Sequence, residues 1–341
     1  MVRLTALPCL LLIVCTIVLV LASSITVGQG LGPEMYGLVG RFGMATPVST
    51  RVLGMGGLLS CVNDVQFANP AFAAVQEKAS AGVRYTTTNL DGGPQVDSWL
   101  AHYTLPLHTN RDGLQLSFMS LETPETAALL PGMGPGAVDM SETALVVDYG
   151  RRISGKLTGG LSVLGFESVD MTVTAGPGLV VADVHDKAEW GFRGGLAYEW
   201  APGDFVGVVY SFSRDSVDFS SQFPQPIALD DLSLDNSQLA IGVSRHLAPH
   251  VLLAGEYQHG VTSRTGSRGV ADTWNFGMDY LLAPGWSLRL GSNNFDFCWG
   301  LGYAGPHWRL DYACINGWNS SDIGQLLGGS STHSVEAVYR F

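Results

Sequence analysis

Charge is scarce in this chain of 341 residues, where Asp, Glu, Lys and Arg together make up only 14%, roughly half the share in a typical soluble domain. Basic residues are scarcest: 18 Lys plus Arg against 30 Asp plus Glu give a formal net charge of -12, which leaves no basic stripe for nucleic acid. Cysteine is limited to five residues. Loss of an N-terminal leader would leave Cys61, Cys298 and Cys314, an odd set that excludes a disulfide framework. Beyond residue 22 there is no apolar run of the roughly 18 residues that a membrane-spanning helix needs, although mean hydropathy is +0.20. Catalytic signatures are missing as well. The eight histidines, from His102 to His333, place no ligand pair on one face, and Ser162 in Gly160-Leu-Ser lacks the second glycine of a nucleophile elbow. An enzyme is therefore not expected, and no cofactor or metal is implied.

What the chain has instead is glycine, 43 residues, aromatics at 10%, and hydrophobicity placed at alternate positions. In Glu189 to Trp200, Trp190, Phe192, Leu196, Tyr198 and Trp200 alternate with Glu189, Arg193, Ala197 and Glu199. One face suits hydrocarbon and the other water. The pattern recurs in Asp272 to Leu282 and in the final residues, where Val335, Ala337, Tyr339 and Phe341 share a face. Taking each run as a strand gives starts near residues 79, 96, 113, 142, 156, 188, 203, 236, 249, 271, 285, 295, 307 and 332, or about 14 strands of roughly ten residues. Connections alternate in kind. Short links fall near Asn110, Ser154, Pro202, Pro249, Pro284 and Pro306, where proline suits a tight turn. Longer ones are expected at Thr123 to Ser141, Ser168 to Lys187, Arg214 to Asp235, Gly260 to Val270 and Gly317 to Ser331, with a brief turn at Ser292-Asn293-Asn294 that lowers one part of the rim. Short turns on one side and long loops on the other are the habit of a transmembrane antiparallel β-barrel in the outer membrane of a Gram-negative-type cell. A soluble β-sandwich or β-solenoid also alternates, but would bury the large aromatics rather than gather them at strand ends. By parity Cys298 faces the lumen and Cys314 faces lipid, so the two cannot form a disulfide.

The N-terminus supports export. Arg3, an apolar stretch from Leu4 to Leu21 and then Ala22-Ser23-Ser24 read as a signal peptide over residues 1–24, with a retained anchor as the alternative. Residues 25–78 have a different texture, and residues 79–341 form the barrel. Within the former, Asn69-Pro70 is a helix start, because the Asn side chain caps free N–H groups and proline at the first position loses no needed donor. A short helix over Pro70 to Gln76 follows. Gly54, Gly56 and Gly57 permit close backbone approach, so the segment is suited to fold inside the lumen as a plug.

The run Arg51-Val-Leu-Gly-Met-Gly-Gly57, the Asn63-Asp64 stretch and Asn69-Pro70-Ala71 leading into the first strand resemble the FadL/TodX family of outer-membrane transporters. The resemblance implies a fourteen-strand barrel closed by an N-terminal hatch that contains Asn69, Pro70 and Ala71. It also implies passive uptake of long-chain fatty acids or other apolar molecules, with a lateral exit through the wall. The Gly-rich run is similar to PorV-type barrels too, which implies the alternative of a secreted-protein partner and surface attachment. The third strand, Gly113 to Leu121, lacks the internal glycine of a kinked lateral opening.

Binding residues follow from what an apolar cargo needs. Leu129, Leu130 and Met133 lie in an apolar stretch, Thr123 to Met140, that would bind cargo or fold over the mouth as a lid. Arg193 and Arg289, with Arg84 and Arg309, fall on the lumen side, where a guanidinium can meet a ligand carboxylate or pair with Asp148, Asp279 and Asp311. Asp215, Asp218, Asp230, Asp231 and Asp235 in an outer connection suit solvation, or divalent cations bridging lipopolysaccharide, although no calcium-loop spacing occurs. The expected surroundings are outer-membrane lipid and lipopolysaccharide, and the expected cargo a small hydrophobic molecule.

Overall fold

The computed structural model describes residues 48–341 except 67, 91–94, 109–110, 131–133, 176–178, 222–226, 265–266, 294–295 and 317–329. The leader at residues 1–24, with Cys9 and Cys15, lies outside the described residues, as does Met133. Fourteen antiparallel strands account for most of the chain: β1 (Ser80–Leu90), β2 (Gln95–His108), β3 (Asp112–Leu130), β4 (Gly134–Arg152), β5 (Leu157–Ala175), β6 (Leu179–Ala201), β7 (Asp204–Ser221), β8 (Ile227–Ala248), β9 (Val251–Arg264), β10 (Ser267–Ala283), β11 (Trp286–Asn293), β12 (Asp296–Ala304), β13 (Trp308–Asn316) and β14 (Ser330–Arg340). Each strand pairs with its chain neighbours, and β14 pairs with β1 from Ser80↔Arg340 to Leu90↔Ser330, so the sheet closes on itself. Closure leaves no sheet edge, which is the condition for a sheet to cross hydrocarbon.

Side-chain alternation sets the two faces. Trp99, Phe118, Leu161, Leu196, Ile241, Phe276, Leu301 and Leu310 all point outward and are exposed, while Arg84, Gln115, Asp148, Arg193, Asp311 and Glu336 point inward and are buried. An apolar exterior running round the whole sheet far exceeds the patches a soluble monomer shows, and this fold is that of a membrane-spanning barrel. Tight turns sit at one end, where Gly203 and Gly285 take φ of +77° and +82°. That end also carries Tyr303, Trp286, Trp308, Tyr339 and Phe341, with Trp308 and Tyr339 rings 4.8 Å apart. They form an interfacial girdle.

Strand lengths correct the sequence reading. Strands β11, β12 and β13 have 8, 9 and 9 residues, but β3 to β8 have between 18 and 23, about twice what a membrane crossing uses. Most of Thr123 to Ser141, Ser168 to Lys187, Arg214 to Asp235 and Gly260 to Val270, expected as loops, is paired strand. The connections shrink to residues 131–133, 176–178, 222–226 and 265–266. The physical reason is that the outward face changes solvent. Above the apolar belt Asp139, Asp170, His185 and Asp218 point outward and are exposed, so the hydrophobic alternation that marks a strand in lipid reverses while the ladder continues. We call this raised part the crown. Of the brief turn expected at Ser292-Asn293-Asn294, Ser292 and Asn293 belong to β11, opposite Phe297 and Asp296, and Asn294 lies outside the described residues.

Residues 48–78, the inner segment, have almost no strand. Ser49 caps a four-residue helix, α1 (Thr50–Leu53), whose Gly54 cap leads to Gly56 and Gly57 at φ +91° and +71°. A 3-10 helix, Pro70–Val75, begins at the Asn69 cap expected from sequence. It is tighter and one residue shorter than expected. Val52, Met55, Leu58, Cys61, Ala71 and Phe72 are buried.

Candidate functional site

The inner segment makes its polar contacts with the inward face of the wall. Wall carboxylates receive its N–H groups: Thr50 N donates to Glu336 at 2.9 Å, and Leu59 N and Ser60 N donate to Glu256 at 2.8 and 2.6 Å. Wall arginines serve its carbonyls, Arg84 donating to Val48 and Arg193 to Ala68, the latter at 3.1 Å. Backbone groups that would be orphaned in a segment without strands are thereby satisfied.

On the side of β10, β11 and β13 the contact becomes a closed ring of alternating charge. Arg51 pairs with Asp279 at 2.8 Å, Asp279 with Arg289 at 3.6 Å, Arg289 with Asp311 at 2.7 Å and Asp311 with Arg309 at 2.6 Å. Arg309 then pairs with Asp64, and Asp64 returns to Arg51 at 3.9 Å. Glu336 joins from β14, 3.4 Å from Arg309 and 3.3 Å from His102. Three arginines and three aspartates make the ring neutral, which is how buried ions are tolerated. Burial alone would raise the Asp64 carboxyl, but Arg309 and Arg51 outweigh it and hold that group well below the usual carboxylate range. Beside the ring a cavity of about 340 Å³ opens at the short-turn end, lined by Arg51, Asp64, Leu252, Asp279, Leu281 and Arg340 among others.

On the side of β4 to β7 the fit is made by shape. A Cβ on Gly160 would overlap the backbone of Pro70 and Ala71, and one on Gly195 would overlap the Asn69 side chain. Phe72 meets Phe205 edge-on with ring centroids 5.2 Å apart. Asn69 accepts from Ala71 N at 3.0 Å and donates to Ser60 O at 2.8 Å and to Leu196 O at 3.1 Å.

Of the residues expected to form the site, Asn69, Pro70, Ala71 and Arg193 come together on this side, and Arg289 lies in the charge ring. Leu129 and Leu130 are in the crown, where they pair with Pro135 and Gly134. Sequence reasoning missed Arg51, Asp64, Glu256 and Glu336 as partners. A usable signal was present, because Arg51 and Asp64 are charges within a Gly-rich, apolar stretch that has to be buried. The three cysteines of the described residues, Cys61, Cys298 and Cys314, are free and buried. Register places Cys298 opposite Ile315 and Cys314 opposite Trp299, on opposite faces as parity required. Burial, reinforced by the Glu256 carboxylate, pushes the Cys61 thiol well above its ordinary value.

Among the described residues the ladder between β5 and β6 lapses. Strands β5 and β6 pair down to Val163↔Phe192 and again from Ser168↔Lys187, and in the described backbone nothing joins residues 164–167 to 188–191. Register shifts flank the break, between Leu145 and Val146 of β4 and between Ala188 and Trp190 of β6. On the lipid side lie Trp190 and Phe212, ring centroids 4.9 Å apart. Strand β3, by contrast, pairs with β2 as far up as Glu122 and with β4 to its tip.

A closed, apolar-walled barrel of fourteen strands defines the class, a transmembrane β-barrel of the outer-membrane type. Solved structures of this fold include the Ralstonia pickettii toluene transporter TbuX (TM-score 0.56, 14% identity, 86% of this chain and 97% of that one). The Pseudomonas putida toluene transporter TodX has TM-score 0.56 at 12% identity, with 86% and 97% covered. A Pseudomonas aeruginosa FadL homologue has TM-score 0.54 at 15% identity, with 86% and 98% covered. No protein-family model and no curated protein sequence matches the chain. At these identities the likeness is one of fold.

Proposed function

We propose that this chain is an outer-membrane channel for passive uptake of hydrophobic compounds, with residues 1–24 as its signal peptide, residues 25–78 as its plug and residues 79–341 as its barrel. The observation that carries the reading is the largely apolar inward register of the crown. Within the membrane the register places polar residues inward, as with Asp148 and Ser162. Above it most inward register positions are apolar, those of Val138, Met140, Val169, Met171, Val173, Val217 and Phe219, with Glu142, Glu167, Asp186 and Asp215 between them. A water-filled pore has no use for that arrangement, whereas an apolar solute gains about 25 cal/mol for each Å² it removes from water.

In this reading cargo collects in the crown, where Leu129 and Leu130 stand near the tip, and descends to the plug at Asn69, Pro70 and Ala71. It leaves sideways through the break between β5 and β6, and the continuous pairing of β3 favours that place over the third strand. Arg193 holds the plug through Ala68, and Arg289 holds Asp279 and Asp311, the wall carboxylates that meet Arg51 and Arg309; both become available to a ligand only when the plug moves. The surroundings are outer-membrane lipid and lipopolysaccharide. The test is uptake of radiolabelled toluene and dodecane by cells carrying the chain or a variant lacking residues 127–138. We expect uptake above background and a loss of most of it in the deletion, with barrel assembly intact. Absence of uptake together with stable capture of a secreted protein would replace this reading with the secretion-associated one.

A further inference from the structure

Charge is distributed unevenly along the barrel axis. Residues 122–142, 167–189 and 214–235, which cover the crown of β3 to β8, hold 14 acidic and 2 basic residues; the remainder of the chain holds 16 of each. The whole formal net charge of -12 therefore belongs to the crown. The two cations offset little of it. Arg214 is engaged with Asp235 at 2.7 and 3.1 Å, and opposite Ser168 stands Lys187. His185 sits between Asp170 at 2.5 Å and Asp183 at 3.3 Å, with Asp218 across from it on β7. Asp139, Asp170 and Asp218 are exposed to water.

We infer that the crown is an electrostatic filter that admits uncharged and cationic apolar molecules and turns away anionic amphiphiles, fatty acids and aryl sulfonates included. The inference rests on the uptake reading and specifies its substrate class. Two features of one sheet produce it. Most inward register positions of the crown are apolar, Val169, Met171, Val173 and Val217 among them, and reward desolvation of any hydrophobic solute. Acidic residues stand on both faces, Asp139, Asp170 and Asp218 outward and Glu142, Glu167, Asp186 and Asp215 at inward register positions, and a concentration of one sign at the mouth of a low-dielectric passage gives potentials of several kT that deplete like-charged solutes. A carboxylate or sulfonate meets that field before it reaches the apolar positions, whereas a neutral hydrocarbon does not feel it. Salt weakens the filter, because exposed charges are screened within about 8 Å at physiological ionic strength. The fatty-acid cargo implied by family resemblance is thus disfavoured here.

The test uses two aromatic probes that differ in a sulfonate, neutral N-phenyl-1-naphthylamine and anionic 1-anilinonaphthalene-8-sulfonate. Fluorescence binding is measured on the full chain in zwitterionic nanodiscs, with empty nanodiscs subtracted. For the unaltered protein the neutral probe should bind about tenfold or more tighter in low salt, a gap that narrows in about 0.5 M NaCl as screening grows. A variant with Asp139→Asn, Asp170→Asn, Asp183→Asn and Asp218→Asn should gain affinity for the sulfonate with little change for the amine. Equal binding of both probes, or a preference that neither salt nor the variant alters, overturns the filter while leaving uptake intact. Failure of the neutral probe to bind above the empty discs removes the uptake reading itself. The salt series needs no variant, so a quadruple substitution that does not assemble leaves the question decidable.

Discussion

The two sides of the barrel hold the same inner segment by different physics. Toward β4 to β7, where the wall is tall, the 3-10 helix is seated by glycines and by neutral hydrogen bonds from Asn69. Toward β10 to β14, where β11 to β13 barely span a membrane, glycines such as Gly277 and Gly291 still receive the backbone of Met55, but the ring through Arg51 and Asp64 adds charge. Shape complementarity costs nothing in desolvation and gives a fixed seat. A buried ion ring is costly to assemble and costly to break at one member, so it behaves as an all-or-none clasp. The difference teaches that the segment has a fixed edge and a releasable edge, and that they respond to different perturbations.

The sharpest way to break the comparison is Arg309→Ala, which strips Asp64, Asp311 and Glu336 of their shared cation. The loss should be about 3–5 kcal/mol in attachment of the segment. It is read as faster maleimide labelling of Cys61 in a Cys298→Ser, Cys314→Ser background, and unchanged labelling would mean that the ring does not fasten that edge. Gly160→Ala tests the other edge by placing a methyl group against the backbone of Pro70 and Ala71. Overpacking of this kind costs about 1–3 kcal/mol, and its effect on labelling should be indifferent to salt. A smaller step, Asn69→Ala, removes the cap of the 3-10 helix and should cost about 1 kcal/mol; a greater loss than Gly160→Ala causes would put the cap above the glycine seat.

The smallest effect expected is that of pH. Because the folded-state Asp64 carboxyl is depressed, its contribution is fully present above its unfolded value of about 3.9 and is lost only as pH falls well below that. Labelling of Cys61, compared at fixed thiolate concentration, should therefore stay level from about pH 8 to pH 5. A rise across that window would show that another group controls the clasp.

Much of this architecture was legible in the chain. Period two, the proline turns at Pro202, Pro249, Pro284 and Pro306, and the even strand number are local patterns, and local patterns survive folding. Asn69-Pro70 was legible for the same reason. The crown was not, because strands were sought by an outward hydrophobic face, and at Asp170, Asp183 and Asp218 that face meets water. The ring was illegible for another reason. Arg51 and Asp279 are neighbours only after the sheet has closed, and nothing in either one's sequence surroundings names the other. Inward parity of Arg289, Arg309 and Asp311 could be read; their selection of Asp64 as a partner could not.

Strand β14 does two jobs at once. It supplies the hydrogen bonds that join β13 to β1, and through Glu336 and Ser334 it receives Thr50 of the inner segment. The early-made segment therefore meets these two partners only when the last-made strand arrives. Sealing of the cylinder and docking of its stopper thus share one strand, so a lesion in β14 would loosen both.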